Sequence, residues 1–136
     1  MLSQAKSRLM SGKKTLKNPL VRFLPSLIWM MFIYFLSSQQ TTGISTTRTN
    51  RFLILKSFHL IEYALLFLFL YFATNHPKKS IIFAYLYALT DELHQTFVPG
   101  REGKFVDTLI DLFGIFIGLF VLRFLLSFLH FPKKRA

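Results

Sequence analysis

Residues 105–130 read FVDTLIDLFGIFIGLFVLRFLLSFLH, and this stretch decides the fold. At about 1.5 Å of rise per helical residue it can cross the hydrocarbon core of a bilayer with some tilt. Asp107, Asp111, Gly114 and Gly118 fall on one helical stripe. The Gly114-x-x-x-Gly118 spacing admits a second helix at close range. The two acids above those glycines are therefore expected to face the interior of a bundle, where a membrane carboxylate can be stabilised.

Working back toward the N-terminus, the same texture recurs. Apolar blocks run from Val21 to Leu36, from Ser57 to Thr74 and from Ser80 to Phe97, the third stopping at the turn signal Val98-Pro99-Gly100. Pro25 lies in the first turns of the first block, where it is tolerated. The basic lead-in raises the question of a signal peptide. Ser37-Ser38-Gln39-Gln40 is a poor cleavage site and more apolar blocks follow, so a retained helix is expected. Between the first two blocks, Arg51 to Lys56 is expected to form a short interfacial helix. With 52% hydrophobic residues, 17 Phe and a mean hydropathy of +0.42, the chain reads as an all-α, polytopic four-transmembrane-helix bundle. The expected organisation is a basic N-terminal segment over 1–20, a membrane domain over 21–130 and a basic tail over 131–136.

Charge sets the expected orientation. The stretch through Arg22, the Lys78-Lys79 pair and the C-terminal end from Arg123 hold twelve of the 17 Lys and Arg residues. Arg48, Arg51, Lys56, Arg101 and Lys104 make up the other five. By the positive-inside rule, both termini are cytoplasmic. The net charge of +11 flanks apolar blocks and accompanies no base-reading module, so membrane headgroups and lipid are the expected partners and nucleic acid is not. The absence of cysteine excludes disulfides, zinc-thiolate sites and thiol catalysis.

All six acids lie between positions 62 and 111, among or against these apolar blocks. A carboxylate in a bilayer is costly unless it faces protein or water and finds a partner, and so marks a functional site by default. Under the expected topology, His59 and Glu62 begin the second helix at the outer face. Asp91, Glu92, His94 and Gln95 end the third there, and Asp107 and Asp111 begin the fourth. Periodicity puts His59, Glu62 and Tyr63 on one face, and Tyr87, Asp91, His94 and Gln95 on another, with Glu92 turned about 100° away. These groups are expected to converge on one polar cavity, with Arg101 of the short Gly100–Gly103 loop covering it. Like charges at that range require either a bound divalent cation or a protonated carboxylate.

The segments Lys56-Ser57-Phe58-His59 through Glu62-Tyr63-Ala64, Tyr87 to Gln95 (YALTDELHQ), Val98-Pro99-Gly100-Arg101 and Asp107 through Asp111 to Gly114 resemble the VanZ-like family. This family comprises small bacterial membrane proteins named after an accessory factor of glycopeptide (teicoplanin) resistance. The resemblance covers roughly residues 24–125 and includes Ser37-Ser38-Gln39 after the first block. Gln40 stands where the family often has Pro, and Asp111 stands where Asn also occurs. What the resemblance implies is a membrane location and a link to the cell envelope, with no settled biochemical activity.

Two kinds of role fit the polar residues. As plain structure, His59 with Glu62 is an interhelical strut, Asp91, His94 and Gln95 form a hydrogen-bonded network, and Asp107 caps the fourth helix. Glu102 is a solvated loop charge, and Glu92 pairs with Arg101 or faces headgroups. As chemistry, His59, Glu62, Asp91 and His94 supply acid and base to an envelope lipid or lipid-linked precursor. Tyr63, Glu92, Gln95 and Arg101 would contact that substrate, Arg101 by holding a phosphate. Asp91, Asp107 and Asp111 would hold a hard divalent cation, with His94 or His59 as a nitrogen ligand. Non-catalytic binding of a lipid headgroup or of the glycopeptide is the alternative, and proton-coupled transport by a dimer a third.

Overall fold

The computed structural model describes residues 18–40, 47–101 and 103–129. Four helices account for most of them, and the described residues contain no strand. These are α1 (Pro19–Ser37), α2 (Arg48–Thr74), α3 (Pro77–Gln95) and α4 (Asp107–Leu129). The expected terminal segments lie almost wholly outside the described residues, as do Glu102 and residues 41–46 of the Thr/Ser-rich loop.

Local chemistry sets the helix ends. The Asn18 side chain accepts from the Leu20 N–H at 3.1 Å and Pro19 occupies the first helical position, a pairing that opens α1 two residues before the apolar block. Asn75 takes a left-handed conformation, φ 54°, and closes α2 with a bond from its N–H to the Tyr71 carbonyl. Pro77 begins α3 two residues later, so α2 and α3 form a tight hairpin. The interfacial helix expected over Arg51–Lys56 is not separate. It is the first part of one 27-residue helix, α2. Nothing in Lys56-Ser57 breaks a helix, and propagation of an existing helix is cheaper than a new nucleus.

The central element is α2, which packs against each of the other three, most extensively against α4. The glycine stripe explains that closeness. A Cβ added at Gly114 would lie 2.7 Å from the Leu60 carbonyl oxygen, and one at Gly118 would lie 2.6 Å from that of Ala64. Below the polar end the core is apolar, built from Ile33, Tyr63, Leu66, Phe67, Leu70, Ala84, Ala88 and Ile115. Small residues Ser80, Ala84 and Ala88 form the buried face of α3, which lets it sit close to its neighbours. Among the hydrogen bonds that dock α1, Trp29 Nε1 donates to the Glu62 carbonyl at 2.9 Å, the Tyr87 hydroxyl donates to that of Met30 at 2.6 Å, and Arg22 Nε donates to that of Phe72 at 3.1 Å.

Three stretches are long and apolar enough to cross a membrane: Leu20–Ser37, Leu53–Thr74 and Asp107–Phe128. Large apolar side chains such as Leu20, Met31, Phe97 and Phe120 remain exposed on the outside of the bundle, as a lipid-facing surface requires. The third apolar block, now α3, differs from the rest. It carries Lys78 and Lys79 at one end and Asp91, Glu92 and His94 at the other, so its polar ends dilute an apolar middle.

Candidate functional site

The polar residues gather where the C-terminal ends of α1 and α3 meet the N-terminal half of α2 and the first turns of α4. His59, Glu62, Asp91, Glu92, Gln95 and Asp111 are all buried there, and Asp107 and Arg101 are partly so. They divide into two networks.

The first runs through Asp91. Its Oδ2 accepts from the Tyr63 hydroxyl at 3.3 Å and from Gln95 Nε2 at 2.9 Å. Gln95 Oε1 in turn accepts from Arg101 Nη1 at 3.2 Å. The guanidinium continues to α1, donating from Nη2 to the Leu36 carbonyl at 2.7 Å and from Nε to that of Gln39 at 3.1 Å. Arg101 therefore binds the C-terminal end of α1, whose last carbonyls have no partner within the helix. Burial lowers its pKa from the ordinary value, and the carboxylates of Asp91, Glu62 and Glu92 oppose that shift. His94 stands to one side. Its Nε2 is 2.9 Å from Ser38 Oγ, and its ring lies tilted against Tyr34 with centroids 4.4 Å apart.

The second network joins α2, α3 and α4. His59 Nδ1 lies 2.9 Å from Asp111 Oδ1, with both side chains almost wholly enclosed. Glu92 reaches the same place from α3, and its Oε2 accepts from the Lys104 N–H at 3.2 Å. That bond needs Gly103, where a Cβ would collide with the Glu92 carbonyl oxygen and with Thr96. Lys56, one turn before His59, reaches Asp107 at 2.7 Å. His59, Glu92 and Asp111 each offer a ligand atom within 4.8 Å of the others. Asp91 Oδ1, Glu92 Oε1 and Asp111 Oδ2 are buried with no hydrogen-bond partner among the described residues.

A cleft of about 160 Å³ opens beside this cluster. It is lined by the end of α1 (Leu36, Ser37, Gln39, Gln40), by Leu55, Phe58, His59 and Glu62 of α2, and by Arg101. At about 30 Å³ per water, it has room for a few waters or one small polar group. Chemically, an imidazole held through Nδ1 by a buried carboxylate presents its other nitrogen as a base or ligand, and Glu62 lines the same wall one turn away.

Of the residues expected at the site, His59, Glu62 and Arg101 line the cleft. Tyr63, Asp91 and Gln95 form the wall of hydrogen bonds behind Arg101. Of the three aspartates expected to share an ion, Asp111 falls in the compact group with His59 and Glu92. Asp107 is paired with Lys56, and Asp91 with Tyr63 and Gln95. Glu92, expected to pair with Arg101 or face headgroups, instead lies buried beside His59 and Asp111. Lys56 was not among the expected site residues, although its i, i+3 spacing to His59 places the two on one helical face.

Comparison with known proteins adds a family. The family model described as VanZ/LLP1 matches residues 22–127, a span that holds all four helices but for a few terminal residues. No curated protein and no solved structure matches the chain.

Proposed function

The chain belongs to the VanZ-like family, and on that footing we propose that its polar cleft binds and acts on the headgroup of an envelope lipid or lipid-linked precursor. The reading takes the chain as a four-span membrane protein with both termini cytoplasmic and the cleft at the extracytoplasmic face. The twelve-to-five division of Lys and Arg supports that orientation. In support of a fourth span, α3 has 19 residues, roughly 28 Å of helix at 1.5 Å per residue, and is packed alongside three apolar neighbours. Reporter fusions at Thr42 and Glu102 are expected to read as external and one at Lys78 as internal. An internal signal at Glu102 would reverse the orientation and move the cleft to the other leaflet.

The observation that carries the reading is the 2.9 Å contact of Asp111 with His59 at the wall of the cleft. With Asp111 ionised and accepting, Nδ1 holds the ring proton and Nε2 is the basic atom. His59 can then take a proton from an attacking water or hydroxyl while Glu62, on the same wall, serves as its acid partner. Arg101 keeps a positive charge at the mouth, which favours an anionic headgroup over a neutral one. On this reading, a contribution to teicoplanin resistance comes through a change in an envelope lipid that the drug encounters.

Turnover is tested with purified protein in proteoliposomes containing total envelope lipid, read by mass spectrometry. The wild type is expected to change the mass of one lipid class. His59→Ala is expected to slow that change by roughly 10²–10⁴-fold while the lipid is still retained. Saturable retention without any change in mass, lost in His59→Ala, would instead favour the binding reading.

A further inference from the structure

We propose that His59, Glu92 and Asp111 form a binding site for one divalent transition-metal ion of the Zn²⁺ or Mn²⁺ type. The three come from α2, α3 and α4, with ligand atoms within 4.8 Å of one another. All three are more than nine-tenths enclosed, at 5%, 4% and 0% exposure. Two of the buried oxygens without a hydrogen-bond partner, Glu92 Oε1 and Asp111 Oδ2, belong to this group. A buried acceptor left without a donor is costly, and neighbouring carboxylate oxygens beside an imidazole make the cost larger unless a cation lies between them.

Glu92 also has its other oxygen fixed by the protein, Oε2 accepting from the Lys104 N–H. An outer contact that sets the direction of a ligand is a mark of metal sites. His59 Nδ1 and Asp111 Oδ1 lie 2.9 Å apart, so with Nδ1 unprotonated the two atoms become a pair of ligands that an ion, in place of the shared proton, can hold together. The charge is also consistent. Two ionised carboxylates and a neutral imidazole carry two negative charges in a place of low dielectric, and a divalent ion cancels both. Lys56, one turn before His59, is engaged with Asp107.

The donor set selects the metal class. One imidazole with carboxylates suits borderline divalent ions, whereas calcium and magnesium prefer all-oxygen shells. Copper(I) prefers thiolates, and the chain has no cysteine. With an ion bound, His59 is a ligand rather than a base, and Glu62 on the cleft wall is the carboxylate left to take a proton. That use of the ion rests on the turnover reading above, whereas its presence does not.

The test is therefore made on binding alone. Chelator-stripped, untagged protein in detergent is titrated with Co²⁺ as a spectroscopic stand-in, followed by its visible absorption, and then with Zn²⁺ in competition. One equivalent is expected to bind. Glu92→Gln and Asp111→Asn are each expected to weaken it by more than the roughly 10–100-fold that loss of an outer contact costs. Asp107→Asn is expected to bind as the wild type does. Sub-stoichiometric binding by the wild type, or wild-type affinity in both variants, would overturn the site. Should the variants fail to fold, the wild type still decides through its ¹⁵N-histidine spectrum. Zn²⁺ is expected to shift one of the four imidazoles, and no shift overturns the proposal. An ion bound without lipid turnover would sink the enzymatic reading and leave the site standing. Lipid turnover by a wild type that binds no ion would do the reverse.

Discussion

The two polar networks at the end of the bundle use the same kinds of residue and reach different outcomes. Around Asp91, a cation arrives from the loop, and Arg101 carries the connection onward to the backbone of α1. Around Asp111, the group beside the buried carboxylate is an imidazole. Asp111 and Glu92 each keep a buried oxygen without a hydrogen-bond partner among the described residues, against the single Oδ1 of Asp91 in the first network. The first network ties a peripheral helix to the bundle. The second joins three helices that the glycine stripe and small-residue packing already hold together, so its polarity is not needed for cohesion. A polar cluster that costs stability and supplies little cohesion is where function is expected.

The sharpest way to break this comparison is to exchange one carboxylate for its amide in each network. Asp111→Asn keeps the shape but offers His59 Nδ1 an amide that can donate, which favours the wrong tautomer. Turnover of envelope lipid is expected to fall by roughly 10²–10⁴-fold, with little change in thermal stability. Asp91→Asn is expected to leave turnover within about tenfold of wild type, because Asp91 reaches the cleft only through Gln95 and Arg101. Equal losses in both variants would mean that the two networks act as one.

A smaller effect, of the opposite kind, is expected from Arg101→Ala. It removes the donors to Leu36, Gln39 and Gln95 at once. Hydrogen bonds from a charged group contribute about 1.5–3 kcal/mol each when buried, and this side chain is only half-buried. A net loss of about 2 kcal/mol is therefore expected in detergent unfolding. Protease cleavage near Gln39 should become easier. Arg101→Lys should recover little, since one ammonium cannot reproduce the fork that reaches two carbonyls and an amide. An unchanged stability with a lost headgroup affinity would show that Arg101 belongs to the binding surface rather than to the tie.

The difference between the networks was only partly visible in the sequence. Periodicity correctly grouped His59, Glu62 and Tyr63, because α2 is a regular helix with one face toward its neighbours. It also aligned Asp111 with Gly114 and Gly118, because close packing of α4 on α2 demands small residues on that stripe. The partner of Arg101 was illegible, since the carbonyls of Leu36 and Gln39 have no signature in residue types. Glu92 was misjudged because α3 touches both α2 and α4, so two of its faces are buried and a 100° turn does not lead outward. His94 was placed with Asp91 by spacing, yet the end of α1 offers Ser38 and Tyr34 nearer to hand. Lys56 was grouped with the loop charges rather than with the site, because the helix was expected to break after it, which separated it from His59.

Lys56→Met gives the smallest expected effect and fixes the border of the second network. The substitution removes the charge but keeps an unbranched apolar stem of similar length. Lys56 and Asp107 are 17% and 14% exposed at 2.7 Å, so their attraction is partly screened. A stability loss of about 1 kcal/mol or less is expected. Neither side chain lines the cleft, and turnover should stay within about tenfold of wild type. A double-mutant cycle with Asp107→Asn checks this, because a coupling energy of about 1 kcal/mol or less would mark a rim ion pair and nothing more. If Lys56→Met instead abolished turnover as Asp111→Asn is expected to, the cation would be acting on the buried carboxylates one turn below it. The second network would then have its own counter-ion, as the first has Arg101, and the contrast between them would disappear.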